Sequence, residues 1–258
     1  MECFAGIART SIKLGDIQRG FNIAREIKDK QLLMDIAVVC ENMKQNVEAA
    51  QLFEKAESYE KAVTLYLSMK MFKQAGPLMK KVKTSAILIK YGKAKESEGA
   101  YKEAEEAYQD AEAWEDVVRI NLNNFDNLEK PKEILRHKCS TSTVASIVAN
   151  YCEKRSIWKE AVEFSIMANR KEDAFIMAQA HSEMDTYAEC MKECTPEERL
   201  QIAQYYEGKG IWDKAAGQYE LGKNPLKALK LYIKAGEIFI ERILELVEKN
   251  STQEHLIQ

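Results

Sequence analysis

The chain has 258 residues, of which 46% are hydrophobic and 31% are charged, and its net charge is −3 at pH 7. This composition is too apolar for a disordered protein, and the charge is not that of the strongly basic proteins that bind nucleic acid. Only 4 Pro and 11 Gly are present, which is few for a strand-rich fold with its many turns. We therefore expect a helical protein with no nucleic-acid partner.

Helical periodicity and turn residues predict paired helices along the whole chain. Gly99 and Gly210 stand just past predicted helix ends, where glycine supplies a left-handed cap. The run 195–198 has the pattern of a capping box, and Gly76-Pro77 marks a start or a break. In chain order the predicted pairs are 2–14/16–27, 31–45/47–56, 58–69/71–80, 84–98/100–111, 112–124/128–138, 143–154/157–169, 170–180/183–193, 197–208/211–221 and 224–235/236–249. No Pro/Gly/Ser linker interrupts them, so we expect a single α-solenoid over residues 1–258.

A short motif recurs within these pairs: a large apolar residue is followed three positions later by alanine. The copies are Tyr59/Ala62, Phe72/Ala75, Tyr101/Ala104, Trp158/Ala161 and Trp212/Ala215, with weaker ones at Val47/Ala50 and Trp114/Val117. Three copies add a tyrosine four residues after the alanine, at Tyr66, Tyr108 and Tyr219. These positions lie on one helical face. We expect the alanine to let two helices approach closely and the first ring to fill the gap against the neighbouring helix.

Two segments resemble the tetratricopeptide repeat at its helix junction. They are EGAYKEA at 98–104 and GIWDKAAGQY at 210–219. The spacing of the motif is uneven, with 29 residues from Phe72 to Tyr101 and 54 from Trp158 to Trp212, whereas a regular array repeats about every 34 residues. The expected fold is therefore all-α, an irregular tetratricopeptide-like α-solenoid of antiparallel helix pairs.

Three further segments carry a closer resemblance. They are AGIARTSIKLGDIQRG at 5–20, CENMKQ followed by EAAQLFEK within 40–55, and YGKAKE leading into glycine within 91–99. Together they resemble the helical portion of the WD-repeat protein 19-like subunits of intraflagellar transport complex A, most closely over residues 5 to 185. Members of that family carry N-terminal β-propellers before a long solenoid, and they support retrograde ciliary transport and delivery of membrane cargo into cilia. The resemblance implies that this chain is a fragment of the solenoid, with the upstream propellers absent from it.

The sequence offers little that resembles a reactive site. It contains no Gly-rich phosphate loop, nucleophile elbow or helical His-Glu-x-x-His motif. Cys190 and Cys194 could share a helix face, but a structural zinc site usually needs a second close pair. We interpret the six cysteines as reduced thiols and expect no metal, no cofactor and no enzymatic activity.

The sequence also lacks the patterns of exported and membrane-spanning proteins. Its longest stretch without Asp, Glu, Lys or Arg, from Cys139 to Cys152, is too short to cross a bilayer. The first residues do not combine a basic start with a long apolar core, as a signal peptide would. We expect a soluble intracellular protein without a transmembrane segment.

Charge is distributed unevenly in the first half of the chain. Nine lysines and no acidic residue lie from Lys61 to Lys95, and nine acidic residues with one base, Lys102, follow from Glu96 to Asp116. Two interpretations stay open. The charges form solvated faces with weak contacts between neighbouring repeats, each under about 1 kcal/mol, or the lysines bind an acidic partner or anionic lipid headgroups. The lysines of the candidate partner-binding patch are Lys80, Lys81, Lys83, Lys90 and Lys93.

A solenoid exposes long surfaces that suit the docking of partner helices or peptides. The resemblance implies other subunits of intraflagellar transport complex A as partners, together with ciliary membrane cargo adaptors, and a location in the cilium, at its base and in the cytoplasm. The alternative is a generic tetratricopeptide-type adaptor or a vesicle-coat-like scaffold that captures short peptides.

Overall fold

The computed structural model describes residues 2–191 and 193–255, and these residues form α-helices and two 3-10 helices with no β-strand among them. The predicted all-α solenoid of antiparallel helix pairs is confirmed. The first ten helices are α1 (Glu2–Lys13), α2 (Ile17–Glu26), α3 (Lys30–Asn42), α4 (Asn46–Lys55), α5 (Tyr59–Ser68), α6 (Phe72–Ala75), α7 (Ser85–Ser97), α8 (Tyr101–Asp110), α9 (Trp114–Asn124) and α10 (Glu129–His137), with the 3-10 helix η1 (Gly76–Lys81) after α6.

The remaining helices follow the same alternation of short helices and tight turns. They are α11 (Ser142–Lys154), α12 (Trp158–Met167), α13 (Lys171–His181), α14 (Met184–Cys190), α15 (Pro196–Gly208), α16 (Trp212–Leu221), α17 (Pro225–Ala235) and α18 (Ile240–His255), with the 3-10 helix η2 (Glu237–Phe239) before α18. The chain divides into two compact units, residues 1–134 and 135–258. The expectation of one array over residues 1–258 stays a prediction.

Eleven of the turns between described helices share one backbone geometry. A residue in the left-handed region stands two positions before the next helix begins. These residues are Gly15, Lys44, Glu57, Lys70, Gly99, Glu112, Ser156, Asn169, Ser182, Gly210 and Lys223. In the turn at Glu57, for example, the amide of Ser58 donates to the carbonyl of Phe53 at 2.8 Å. The amide of Glu57 donates to the carbonyl of Glu54 at 3.0 Å. This pair of bonds is the Schellman motif, which satisfies carbonyls at the end of a helix and reverses the chain.

The alanines of the recurring motif occupy the places where helices meet. All five strong copies, at Ala62, Ala75, Ala104, Ala161 and Ala215, are 0% exposed. The first ring of each copy is half-buried at the start of its helix, and Tyr59 and Trp212 pack against the core from that position. The tyrosine seven positions later is buried more deeply, with Tyr66, Tyr108 and Tyr219 at most 2% exposed.

The prediction of one α-helix over residues 71–80 is wrong. Only the four residues of α6 are α-helical, and the chain then tightens into η1. Pro77 explains the change, since it has no amide hydrogen to donate to the carbonyl four residues earlier, and its ring crowds that carbonyl. The hydrogen bonds of a 3-10 helix, which skip one residue fewer, continue the turn as far as Lys81.

Buried tyrosines bind carboxylates that lie twelve positions earlier in the chain. Tyr66 donates its hydroxyl hydrogen to Glu54 at 3.1 Å, and Tyr108 donates to Glu96 at 3.1 Å. Tyr219 donates to Glu207 at 2.6 Å in the second unit. Each bond joins the tyrosine's helix to the preceding one, so it pins a helix pair together. The sequence motif predicts these tyrosines but gives no sign of their carboxylate partners.

These tyrosines should make the protein unstable in alkaline solution. Burial, with the hydrogen bond to Glu54, raises the pKa of Tyr66 from 10.0 to about 12, and burial with the bond to Glu207 raises the pKa of Tyr219 to about 12. Because the folded pKa exceeds the unfolded one, the stabilisation is complete below pH 10 and is lost as pH rises towards 12. Urea unfolding at a series of pH values should show this loss. The free energy of unfolding should fall less steeply with pH in Tyr66→Phe than in the unaltered chain. An unchanged slope in that variant would contradict the assignment.

Candidate protein-binding surfaces

The five lysines of the candidate patch lie on two neighbouring elements of the first unit. Lys80 and Lys81 end η1, and Lys83 lies in the connection to α7. Lys90 and Lys93 are one turn apart on the outer side of α7. All five are exposed.

The structure separates lysines that point into solvent from lysines that hold helices together. Lys81 lies over the ring of Tyr59, 4.3 Å from its centre, and Lys95 pairs with Glu98 at 3.1 Å and with Glu103 at 3.0 Å. Among the described residues, the other four lysines of the patch form no ion pair. Positive charge that stays exposed in this way is available to an acidic partner.

Most carboxylates of the acidic stretch from Glu96 to Asp116 form hydrogen bonds or ion pairs within the first unit. Glu96 accepts two hydrogen bonds from Arg119, at 2.5 and 2.8 Å, and a third from Tyr108. Asp116 accepts a further bond from Arg119 at 2.8 Å. The hydrogen bonds from Arg119 lower the pKa of Glu96, and Lys130 pairs with Glu105. The carboxylates therefore neutralise cations of the following helices, and the charge of Lys93 also lowers the pKa of Glu96. Among the described residues, Lys80, Lys83 and Lys90 form no ion pair.

A groove of about 520 Å³ opens beside α14, α16 and α17 in the second unit. On one side Lys214 pairs with Asp185 at 2.7 Å, and Tyr206 donates to the same carboxylate at 2.6 Å. The bond from Lys214 and the bond from Tyr206 lower the pKa of Asp185. On another side Arg242 pairs with Glu220. Since the carboxylates already hold a cation, these groups stabilise the stacked helices.

A second basic surface lies on α17, and the sequence interpretation missed it. Its lysines are Lys223, Lys227, Lys230 and Lys234, all exposed. The signal was present as a 3-4 spacing from Lys227 to Lys234, which places three side chains on one side of a helix, while Lys223 lies at the junction before it. It was overlooked because these lysines are interleaved with apolar residues and form no continuous charged run.

Two cysteines are buried in the helix pairs, and one histidine stacks on an aromatic ring. Cys40 and Cys152 are buried and neither is in a disulfide, and burial raises the pKa of the Cys40 thiol to about 11. His181 stacks on Trp158, with ring centres 3.5 Å apart. Within residues 2–191 and 193–255 no group of three or more His, Cys, Asp or Glu side chains could hold a metal ion. Over the same residues, no helix combines the length and apolar character needed to span a bilayer.

Comparison with known proteins settles the family. The sequence profile of the IF-140/IFT172 TPR domain matches residues 77–258. The chain belongs to the IF-140/IFT172 TPR domain family. WD repeat-containing protein 19 of Homo sapiens is 36% identical over 251 residues, which is 95% of this chain. The protein of the same name from Mus musculus is likewise 36% identical over 251 residues, and WD repeat-containing protein dyf-2 of Caenorhabditis elegans is 30% identical over 191 residues, or 74% of the chain.

These matches confirm the resemblance to WD-repeat protein 19-like subunits and extend it. The similarity is not confined to residues 5 to 185, since it covers 251 residues. This member of the IF-140/IFT172 TPR domain family spans 19% of the length of the human and mouse relatives and 14% of the worm relative.

Proposed function

We propose that this chain is a structural scaffold of intraflagellar transport complex A, without enzymatic activity of its own. Through protein–protein contacts it supports retrograde ciliary transport and delivery of cargo into cilia. It acts in the cilium, at the ciliary base and in the cytoplasm. The observation that carries the proposal is the family match over residues 77–258 together with 36% identity to WD repeat-containing protein 19.

The surfaces of the first unit support a role in binding. In a solenoid each repeat is stabilised mainly by its neighbours, so outward side chains are free to differ and to recognise partners. Four lysines of the patch project from η1, the connection after it and α7 without an ion pair among the described residues. We propose that Lys80, Lys81, Lys83, Lys90 and Lys93 contact an acidic surface of another subunit of the complex or of a cargo adaptor.

Charge reversal tests this assignment. Two variants of the chain, K80E/K81E/K83E and K90E/K93E, would be expressed in ciliated cells, and the other subunits of complex A that co-purify would be quantified. Each variant should recover about tenfold less of its partner, because attraction across the contact becomes repulsion. The K90E/K93E variant is the cleaner one, since Lys81 also stacks on Tyr59 within the unit.

A matched control is K13E/K28E/K102E, which reverses three exposed lysines elsewhere in the same unit. Its recovery of the complex should equal that of the unaltered chain. If the patch variants also recover the complex in full, the lysines are solvated and the patch is not a contact. If the unaltered chain binds vesicles containing phosphatidylserine and the patch variants do not, the partner is a membrane surface. If no subunit of complex A co-purifies with any form, the proposed function is wrong.

A further inference from the structure

Helix α17 presents an outward face that combines positive charge with large apolar side chains. Lys227, Lys230 and Lys234 project from it, and Lys223 stands at the junction just before it. Within the helix the three lysines follow a 3-4 spacing and extend about 10 Å along the axis. The sequence of α17, PLKALKLYIKA, contains no acidic residue.

An apolar ridge runs beside these lysines. Leu226 is 70% exposed and Ile233 is 61% exposed, and they are seven positions apart, which places them on the same side of the helix. The opposite side is packed into the unit through Ala228, Leu231 and Tyr232. Single exposed apolar residues scattered over a surface are common and need no explanation. Two large aliphatic side chains aligned beside a row of lysines instead indicate an interaction surface.

The lysines border a concave surface. A groove of about 450 Å³ is lined by Glu207 of α15 and by residues of α17 that include Lys227, Lys230, Ile233 and Lys234. Lys227 lies over the ring of Tyr219, 5.1 Å from its centre, and Lys234 lies over the ring of Trp212 at 5.0 Å. These cation–π contacts hold two ammonium groups at the rim of the groove.

We infer that this face of α17 binds an acidic amphipathic helix of a protein partner. The partner's carboxylates, at helical spacing, would face the lysines. Its aliphatic side chains would enter the groove beside Ile233 and extend along the same side of α17 to the exposed Leu226. Charge complementarity selects an acidic partner, since α17 contributes three exposed lysines and no acidic residue to this face. The groove selects a helix over a lipid surface, because a bilayer is flat and cannot fill a concavity between two helices. The inference rests on the proposed scaffold role only in taking the partner to be a protein.

Binding of a synthetic peptide to the purified 258-residue chain tests the inference directly. The probe is a helical peptide with glutamates at 4-3-4 spacing and leucines between them, carrying a fluorophore for anisotropy. The unaltered chain should bind it, and the affinity should fall as salt is added. K227E/K230E should weaken binding about tenfold or more. K230E alone should weaken it in the same direction, and among the described residues Lys230 lies over no aromatic ring whose packing its loss could disturb.

Two controls separate this surface from general electrostatics. K154E/K159E reverses two exposed lysines on α11 and α12 of the same unit and should bind the peptide as the unaltered chain does. A peptide of the same composition in scrambled order should bind at least about tenfold more weakly, since its charges no longer share one face.

The inference fails if the ordered peptide does not bind, or if K227E/K230E and K154E/K159E bind it equally. It also fails if phosphatidylserine vesicles bind through these lysines and the peptide does not, which would make the face a lipid contact. These outcomes are independent of the proposed function, which is judged by recovery of complex A subunits. A chain that assembles into the complex and ignores the peptide refutes only the role of α17.

Discussion

Replacing Tyr108 with alanine should lower the free energy of unfolding by about 3–5 kcal/mol, as expected for loss of a fully buried aromatic side chain. The Tyr108 ring is 0% exposed. It packs so closely on Gly92 that a Cβ there would lie 2.7 Å from the ring. Its hydroxyl also anchors Glu96, which Arg119 holds from the other side. Urea denaturation followed by circular dichroism measures the loss, and hydrogen exchange should locate it in α7 and α8, because stability in a solenoid is local.

Two other substitutions define the cause. Tyr108→Phe keeps the ring and should cost only about 1 kcal/mol, since Glu96 retains both bonds from Arg119. Tyr101→Ala removes the half-buried ring at the start of the same helix and should cost clearly less than Tyr108→Ala. Equal losses at positions 101 and 108 would contradict the placement of the tyrosine at the centre of this pair.

Replacing Gly20 with alanine should destabilise the protein by about 1–3 kcal/mol through overpacking. A Cβ at Gly20 would lie 2.5 Å from Cγ1 of Ile12 and 2.8 Å from the backbone oxygen of Ala8. The oxygen belongs to helix α1, so the clash is relieved only if α1 and α2 move apart. That movement outweighs the gain of about 1 kcal/mol that alanine normally brings to a helix interior. Thermal and urea unfolding both report the change.

The same substitution at Gly6 is the matched control and should have the opposite sign. Gly6 lies within α1, and a Cβ there would meet no atom within 4 Å. Gly6→Ala should therefore stabilise the protein by up to about 1 kcal/mol through helix propensity alone. If both alanines stabilise, then α1 and α2 are not in the close contact that the structure shows.

The recurring motif decided the fold class before any tertiary information. Alanine three positions after a large apolar residue has a helical period, and its repetition predicts stacked helix pairs. The capping box at 195–198 also formed as predicted, with the side chain of Thr195 accepting from the amide of Glu198. These features are local, since both partners lie within a few residues, and sequence alone therefore determines them.

The turns show where local signals stop. Glycine marks three of the left-handed positions, at Gly15, Gly99 and Gly210, but Glu57 and Lys70 adopt the same conformation without it. A non-glycine residue there costs about 1–2 kcal/mol locally. Packing between the helices before and after the turn offsets that cost. This packing involves many residues, so no single position of the sequence predicts it.

The candidate surfaces were predictable only in part. The lysine-rich stretch was visible as a run, but only the structure separated Lys95, held by Glu98 and Glu103, from lysines that point into solvent. The face of α17 became a surface only once Leu231 and Tyr232 were seen to be buried on its other side. Helical spacing in the sequence shows which side chains of α17 share a face. Which face is covered depends on neighbouring helices, because burial is a property of residues brought together from distant parts of the chain.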